Sequence, residues 1–257
     1  MGIAKGLMAS FLLQLAFALT ILNLIVRARK GLKLPKIRRV AGLDAMDEAI
    51  GRATEMGRPV FYSPGIGDLQ NAQTLASFAV LGHVAKTCAR YDTRLLVGNR
   101  NATVQPITEE VVREAHLSVG KPDKYDATNI QFLSDQQWGY ASGVQGIMKR
   151  EQVAASVMVG AFWAESLLFA EVGQQLGAIQ VAGTANTHQI PFFVSACDYS
   201  LIGEEIYAAS AYLSKDPVLV GNLIGLDLGK MFAAVLILVG ALLATVGNQT
   251  LSKLMLQ

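Results

Sequence analysis

Residues 178–207 read AIQVAGTANTHQIPFFVSACDYSLIGEEIY. This stretch contains two short apolar runs, at 178–182 and 190–195, and small or polar residues follow each of them directly. Short continuous apolar runs are typical of buried strands in a parallel sheet. In open α/β sheets, ligands bind beyond the carboxyl ends of such strands. We therefore predict two strands here, with a functional edge where they end.

The residues before this stretch alternate between strand and helix patterns. Predicted strands lie at 58–62, 94–97, 129–133 and 153–159. Predicted helices lie at 43–56, 69–90, 108–117 and 162–176, with one more that contains Trp138 and runs to about residue 150. A final helix at 202–213 follows the sixth strand. The pattern predicts a Rossmann-like α/β domain at 41–217, with a mostly parallel sheet and helices on both faces.

One connection does not fit this pattern. Residues 183–189 are too few to form a crossover helix between two parallel strands. Either the sixth strand, at 190–195, is antiparallel to the fifth, or one of the two runs is a loop. An antiparallel sixth strand would move Asp198 to the opposite edge of the sheet.

Two uncharged apolar segments lie outside this domain, at 7–26 and 231–247. Because roughly 20 apolar residues cross a bilayer, we predict transmembrane helices at 1–26 and 218–248. The second helix requires Asp227 and Lys230 to pair or to lie at the interface.

Two alternatives to this membrane topology remain open. A cleaved signal peptide is the alternative for the first segment, but its length and the lack of a small-residue cleavage site disfavour it. A third span at 153–172 is a further alternative, which Glu165 and Glu171 disfavour.

A basic collar at 27–40 follows the first apolar segment. It holds seven of the 22 Lys and Arg residues of the chain: Arg27, Arg29, Lys30, Lys33, Lys36, Arg38 and Arg39. Basic residues beside a span face the cytoplasm and contact anionic headgroups. We therefore expect a cytoplasmic domain and both termini outside, including a short tail at 249–257. The collar lacks interleaved aromatic residues, so no nucleic-acid partner is expected. Two cysteines suit a reducing compartment.

Glycine and polar residues after the predicted strands form the candidate ligand site. They are Gly65, Gly67, Asp68, Asn99, Arg100, Gly183, Thr184, His188, Asp198 and Glu204. The loop at 63–68 has the Gly-x-Gly of a phosphate loop, but Gln70 replaces the third glycine. A tight turn capped by Asp68 is the alternative. Arg100 can bind a phosphate or carboxylate through two N–H groups, or lie in a solvated loop.

His188 is the one histidine that lies among polar residues at a predicted strand end. With Asp198 it can serve acid–base chemistry, or it can belong to a structural hydrogen-bond network. Neither a His-x-x-x-His nor a Cys-x-x-Cys spacing occurs, so we predict no metal site. No motif identifies a cofactor.

Two segments carry a family resemblance: YSPGIGDL at 62–69 and GTANTHQIPFFVSACDYSLIGEEIYAASAYLS at 183–214. They are similar to segments of an uncharacterised family of prokaryotic membrane proteins known only as a domain of unknown function. The resemblance covers most of the chain from about Pro59. It implies membrane attachment and a prokaryotic origin, and it brings no activity, cofactor or catalytic residue. Together with the basic collar, it leads us to expect a prokaryotic cytoplasmic membrane.

Two functional hypotheses follow. The first is a non-enzymatic, homo-oligomeric scaffold or membrane-organising subunit that can bind a small ligand. Small residues in the second span allow close packing of helices from neighbouring subunits: Gly229, Ala233, Gly240, Ala244 and Gly247. The second is an enzyme acting on a nucleotide-like or other anionic metabolite. It requires Asp68, Arg100, His188 and Asp198 to converge on one ligand position.

Overall fold

The computed structural model describes residues 8–32, 41–214 and 216–245. It divides into a central unit at 39–214 and a second unit formed by residues from both ends of the chain. The predicted tail at 249–257 lies outside the described residues, as do Lys33, Lys36, Arg38 and Arg39 of the collar and Gly247.

The central unit contains a six-stranded sheet in which every strand runs parallel to its neighbours. The strands are β1 (Val60–Gly65), β2 (Leu95–Asn99), β3 (Ile130–Phe132), β4 (Ala155–Ala161), β5 (Ile179–Thr184) and β6 (Tyr199–Ile202). Their order across the sheet is β3-β2-β1-β4-β5-β6. This doubly wound order confirms the predicted Rossmann-like α/β fold.

Seven α-helices of the described residues belong to this unit, beside two short 3-10 helices at Pro122–Lys124 and Ala127–Asn129. The α-helices are α2 (Ala41–Glu55), α3 (Ala72–Tyr91), α4 (Gln105–Ser118), α5 (Gln137–Glu151), α6 (Glu165–Leu176), α7 (Ile190–Ala196) and α8 (Glu205–Ser214). Helices α2, α3, α4 and α8 pack in one group, and α5, α6 and α7 form another. Right-handed crossovers place the two groups on opposite faces of the sheet.

The middle of the sheet is buried on both faces. Every residue of β1, β2 and β4 is buried, which explains why these strands are continuous apolar runs. Aromatic side chains fill the space between the sheet and the second helix group. Tyr140 and Phe162 both meet Phe169 edge to face, and Phe162 meets Phe193 in the same way.

The prediction for residues 190–195 was wrong. These residues form helix α7, and the sixth strand lies further along the chain at Tyr199–Ile202. It is parallel to β5, with Val181 opposite Tyr199. Helix α7 provides the crossover that residues 183–189 could not provide, and of its side chains only Phe193 is buried. A short apolar run suits a strand and a buried helix equally, so the run itself did not distinguish them.

The start of α3 also differs from the prediction. Asp68 does not cap this helix. Asn71 is the N-cap, and its side chain accepts a hydrogen bond from the Gln73 N–H at 2.9 Å. The Asp68 carboxylate instead accepts from the N–H groups of Gln70 and Asn71, both at 3.1 Å, within the preceding turn.

The second unit is a pair of long apolar helices, α1 (Met8–Arg29) and α9 (Pro217–Thr245). Segments Phe11–Arg29 and Pro217–Leu243 are long and apolar enough to cross a membrane. Asp227 and Lys230 lie 3.9 Å apart, as their spacing predicted. The alternative third span at 153–172 is excluded, because those residues form β4 and part of α6 in the central unit.

The helices α1 and α9 pack antiparallel along a row of glycines. Gly221 lies against Ile25, Gly225 against Ile21 and Gly229 against Phe17. A Cβ at residue 221 would lie 2.7 Å from the Ile25 Cα, so any side chain there would collide with backbone. Only Gly229 of this row was predicted from the sequence to allow close helix packing. The four-residue spacing of the three glycines was the available signal.

Candidate functional site

Nine of the ten candidate ligand residues lie at or beyond the carboxyl ends of the strands. Gly65, Gly67 and Asp68 belong to β1 and its loop, and Asn99 and Arg100 belong to the end of β2 and the residue after it. Gly183, Thr184 and His188 occupy the end of β5 and its loop, and Glu204 follows β6.

Asp198 is the exception, because it precedes β6 at the amino edge of the sheet. Its carboxylate accepts a hydrogen bond at 2.8 Å from the N–H of Gln180, the second residue of β5. His188 lies at the other edge, beyond the end of β5. The set of Asp68, Arg100, His188 and Asp198 therefore does not converge on one position, and the enzyme hypothesis loses the site on which it depended.

The doubly wound sheet has its switch point between β1 and β4, where nucleotides bind in related folds. Here the two strands stay joined at that point. Gly65 lies opposite Ala161, and the Ile66 N–H donates to the Ala161 carbonyl at 2.8 Å. A Cβ at residue 65 would overlap that carbonyl oxygen, and a Cβ at residue 160 would overlap the Pro64 carbonyl oxygen. The lack of side chains on these glycines therefore serves close packing of protein backbone.

The loop after β1 also uses its N–H groups internally. The Gly65 N–H donates to Ser63 Oγ, and the Ile66 N–H donates to Ala161. Asp68 accepts from Gln70 and Asn71. A phosphate loop requires N–H groups that point at the ligand, so this geometry favours the capped turn.

A buried cluster of polar groups links β1, β2 and α5 near the carboxyl ends of the strands. The Tyr140 hydroxyl lies 2.7 Å from Ser63 Oγ and 3.1 Å from the Gly98 carbonyl oxygen. Burial raises the pKa of Tyr140 well above its ordinary value, the Ser63 hydrogen bond lowers it in part, and the negative charge of Glu165 raises it further. Tyr140 is therefore a neutral donor that connects β1, β2 and α5.

Arg100 and Glu165 hold the loops at this edge. Arg100 Nη1 donates to the Ile66 carbonyl at 3.0 Å, which explains why this arginine is half-buried. Glu165 is fully buried and accepts from the Trp163 N–H at 2.8 Å and from the side-chain amide of Gln137. Glu165 was not predicted from the sequence to be a site residue, and it served only to disfavour a membrane span. The available signal was a carboxylate in the first helical turn after a strand.

Asn99 is fully buried at the end of β2. Its Nδ2 donates to Thr108 Oγ1 at 2.9 Å, and Thr108 Oγ1 donates in turn to the Gln105 carbonyl. The side chain therefore ties β2 to the start of α4, which is a structural role.

Gln73 links α3 to the loop after β5. Its Oε1 accepts from the Ala185 N–H at 2.7 Å and from Thr184 Oγ1 at 3.2 Å. Its Nε2 donates to Asn186 Oδ1 at 2.9 Å, and Asn186 Nδ2 donates to the Phe162 carbonyl at 2.6 Å. Thr184 thus positions the loop that carries His188. Gln73 was not predicted from the sequence to belong to this edge.

An open pocket of about 200 Å³ lies between the loops that follow β4 and β5. Residues 162–163 and 185–189 line it. His188 and Thr187 are exposed, and the Trp163 side chain is 59% exposed. Trp138, in the first turn of α5, is 60% exposed. Both tryptophans of the chain therefore present indole surface to solvent after strands of the same sheet.

The other histidines have structural partners. His83 lies 2.8 Å from an Asp47 carboxylate oxygen and joins α3 to α2. His116 Nδ1 donates to the Val112 carbonyl within α4. Within the described ranges, no three His, Cys, Asp or Glu residues form a group that could hold a metal ion.

The two thiols are poor nucleophiles. Burial raises the pKa of Cys88 far above its ordinary value. Burial, followed by the negative charge of Asp198, raises the pKa of Cys197 to about 12. The raised pKa values disfavour the thiolate form of both cysteines at neutral pH.

Three basic residues of the collar fall within the described residues. Arg27 and Arg29 occupy the last turn of α1, Lys30 follows it, and all three are exposed.

Comparison with known proteins identifies a family without assigning an activity. No curated protein and no solved structure matches the chain. The family model described as "Domain of unknown function (DUF6754)" matches residues 3–255, which is nearly the whole chain. The chain therefore belongs to the family described as Domain of unknown function (DUF6754).

Proposed function

We propose that this protein is a membrane-anchored, homo-oligomeric scaffold or membrane-organising subunit without catalytic activity. The helices α1 and α9 anchor it in a prokaryotic cytoplasmic membrane, with the α/β domain in the cytoplasm and both termini outside. The basic collar contacts anionic headgroups, which is consistent with the exposure of Arg27, Arg29 and Lys30.

One observation carries this proposal: an open apolar groove of about 840 Å³ runs along the helix pair. Its walls come from both helices and include Leu13, Phe17, Phe232, Ala233, Leu236 and Gly240. Gln14 and Thr20 are the polar side chains of the described lining. Packing of α1 on α9 leaves this surface uncovered.

The chemistry of the groove favours a helix from a second copy. In a bilayer, helices associate through close van der Waals packing and interhelical hydrogen bonds, since lipid tails are as apolar as the helices. Gly221, Gly225 and Gly229 already serve packing within the chain. Ala233 continues the same four-residue spacing inside the groove. Gln14 adds an amide that lipid tails cannot satisfy and a neighbouring helix can.

The α/β domain is consistent with this function. Its polar residues mostly bind one another and hold loops, as Gln73, Arg100 and Glu165 do. Its thiols are not activated.

The native mass of the full chain in lipid nanodiscs or mild detergent tests the proposal. We expect a discrete particle of several times the 27.5 kDa chain mass. Ala233→Leu fills the groove and should reduce the particle to a monomer. Ala234→Leu is the matched control, because Ala234 is exposed and does not line the groove. A wild-type protein that is a monodisperse monomer contradicts the proposal, and so does equal loss of assembly in both variants.

A further inference from the structure

The pocket lined by residues 162–163 and 185–189 has the features of a ligand-binding site. It lies at the carboxyl edge of the sheet, where open α/β folds bind ligands, although it is beside β5 rather than at the switch point. Its volume of about 200 Å³ is below the range for drug-sized ligands, so it fits one or two rings.

The pocket wall is held in place before any ligand arrives. Asn186 is bonded on both sides, to Gln73 at 2.9 Å and to the Phe162 carbonyl at 2.6 Å. The Ala185 N–H donates to Gln73 at 2.7 Å. These bonds fix the two loops relative to each other, and a preformed wall lowers the conformational cost of binding.

Gln189 offers a buried hydrogen-bonding group to this space. The residue is 8% exposed, and its Oε1 accepts from Ser166 Oγ at 3.1 Å. Among the described residues, no hydrogen bond is formed by its Nε2, and this atom is not one of the buried polar atoms that lack a partner, so it is accessible from the open pocket. The amide N–H can therefore donate to an acceptor atom of a ligand in the pocket.

Trp163 offers an aromatic face at the mouth. Its backbone is fixed through the N–H bond to Glu165, while the side chain stays 59% exposed. An exposed indole presents a flat aromatic face on which a planar ring can stack. Thr187 and His188 add a hydroxyl and an imidazole, which can donate or accept. In the part of the chain that the structure describes, the residues that line the pocket include no Lys, Arg, Asp or Glu.

We infer that this pocket binds an uncharged planar heterocycle of one or two rings, of the nucleobase class. The ring stacks on Trp163, and one of its acceptor atoms receives the Gln189 amide N–H. His188 and Thr187 contact the remaining polar edge. The uncharged lining favours a free base over a phosphorylated nucleotide, because a phosphate would find no cation there. This inference does not depend on assembly, and it concerns a different unit of the chain.

Adenine is the probe that tests this inference. In full-length protein carrying Trp138→Phe, Trp163 is the remaining tryptophan, and its fluorescence reports on the pocket. We expect saturable quenching by adenine, weaker binding of adenosine monophosphate, and little effect of methyl glucoside. Absence of saturable quenching by adenine, or tighter binding of methyl glucoside, overturns the inference.

Calorimetric titration of variants locates the site. Trp163→Ala should weaken adenine binding by about tenfold, since base stacking on an aromatic side chain contributes that much or more. Trp163→Phe should retain most of the affinity for adenine, and Gln189→Leu should weaken adenine binding severalfold. Circular dichroism should show native secondary structure in each variant. Adenine binding that Trp163→Ala leaves unchanged would place the ligand elsewhere and refute the assignment.

Discussion

The backbone N–H of Ile66 donates to the carbonyl oxygen of Ala161 at 2.8 Å, so β1 and β4 remain joined at the switch point of the sheet. In doubly wound folds, ligands bind in the crevice beyond the carboxyl ends of the strands that flank this point. In this protein, Gly65 and Gly160 let the backbones of β1 and β4 approach closely at their carboxyl ends. A pocket lies to one side of this point, between the loops after β4 and β5.

Gly160→Ala should destabilise the domain severely. Residue 160 has a φ of +152°, and its new Cβ would overlap the Pro64 carbonyl oxygen. We expect a loss of about 3 kcal/mol or more in the free energy of unfolding. Chemical denaturation of the full chain in detergent, followed by near-ultraviolet circular dichroism, measures it. Gly146→Ala is the control, because that helical glycine has open space around it and should gain up to about 1 kcal/mol. Equal denaturation midpoints for the two variants would contradict the close approach of the β1 and β4 backbones at residue 160.

Gly221→Leu should separate α1 from α9. The Ile25 backbone lies where the new side chain would begin, and backbone cannot move aside as a flexible side chain can. We expect a loss of about 1–3 kcal/mol in helix-pair stability, measured by titration with a denaturing detergent. Ala234→Leu, on an exposed position of α9, should leave the midpoint unchanged.

The native thiols should react very slowly while the protein is folded. With a pKa of about 12, Cys197 should react with a thiolate-selective reagent at pH 8 roughly a thousandfold slower than a free cysteine. Asp198→Asn should speed this reaction, because the carboxylate contributes to the raised pKa. Denaturation should expose both thiols at once. Fast labelling of two thiols in the folded protein would be inconsistent with the structure.

Because the native thiols should react slowly, labelling of a new cysteine can show which side of the membrane the α/β domain faces. Asp123→Cys places a thiol on the exposed 3-10 helix Pro122–Lys124 without removal of Cys88 or Cys197. If the domain is cytoplasmic, an impermeant maleimide should label this variant in inverted vesicles and leave it unlabelled in intact cells. The reverse result would place the domain outside.

Glu151 should contribute to stability in a pH-dependent manner. Hydrogen bonds from Arg150 and Arg94 lower its pKa in the folded protein. A lowered folded pKa means that the contribution is present above the unfolded pKa of about 4.3 and is lost as pH falls through the folded value. Glu151→Gln should therefore be less stable than wild type at pH 7, and the two should converge as pH falls below about 4. Thermal unfolding across this range measures the difference, and a constant gap would argue against the Arg94–Glu151 pair.

Much of the fold could be predicted because local patterns carried it. Strands β1, β2 and β4 are buried on both faces, so each is a continuous apolar run that the sequence displays directly. Helices α1 and α9 stood out by length and lack of charge. Residues 190–195 were read wrongly, because only Phe193 of that run reaches the core, and a six-residue run has no measurable period.

The candidate site was predicted less well than the fold. Arg100, Thr184 and His188 lie at the carboxyl edge of the sheet, where the sequence placed them, because the ends of strands can be recognised in a sequence. The hydrogen-bond partners of these residues could not be predicted, because they are distant in the sequence. Gln73 and Asn186 are 113 positions apart, and Arg100 and Ile66 are 34 positions apart.

The sequence by itself determined the order of strands and helices as far as β5, the two apolar segments and the basic collar, because each depends on neighbouring residues alone. Tertiary structure decided which residues meet. It brought the backbones of β1 and β4 together at Gly65 and Gly160, placed Asp198 at the far edge, and formed the pocket beside Trp163. The physical reason is that contacts between distant segments depend on the direction and register of strands, and crossovers in the fold fix both.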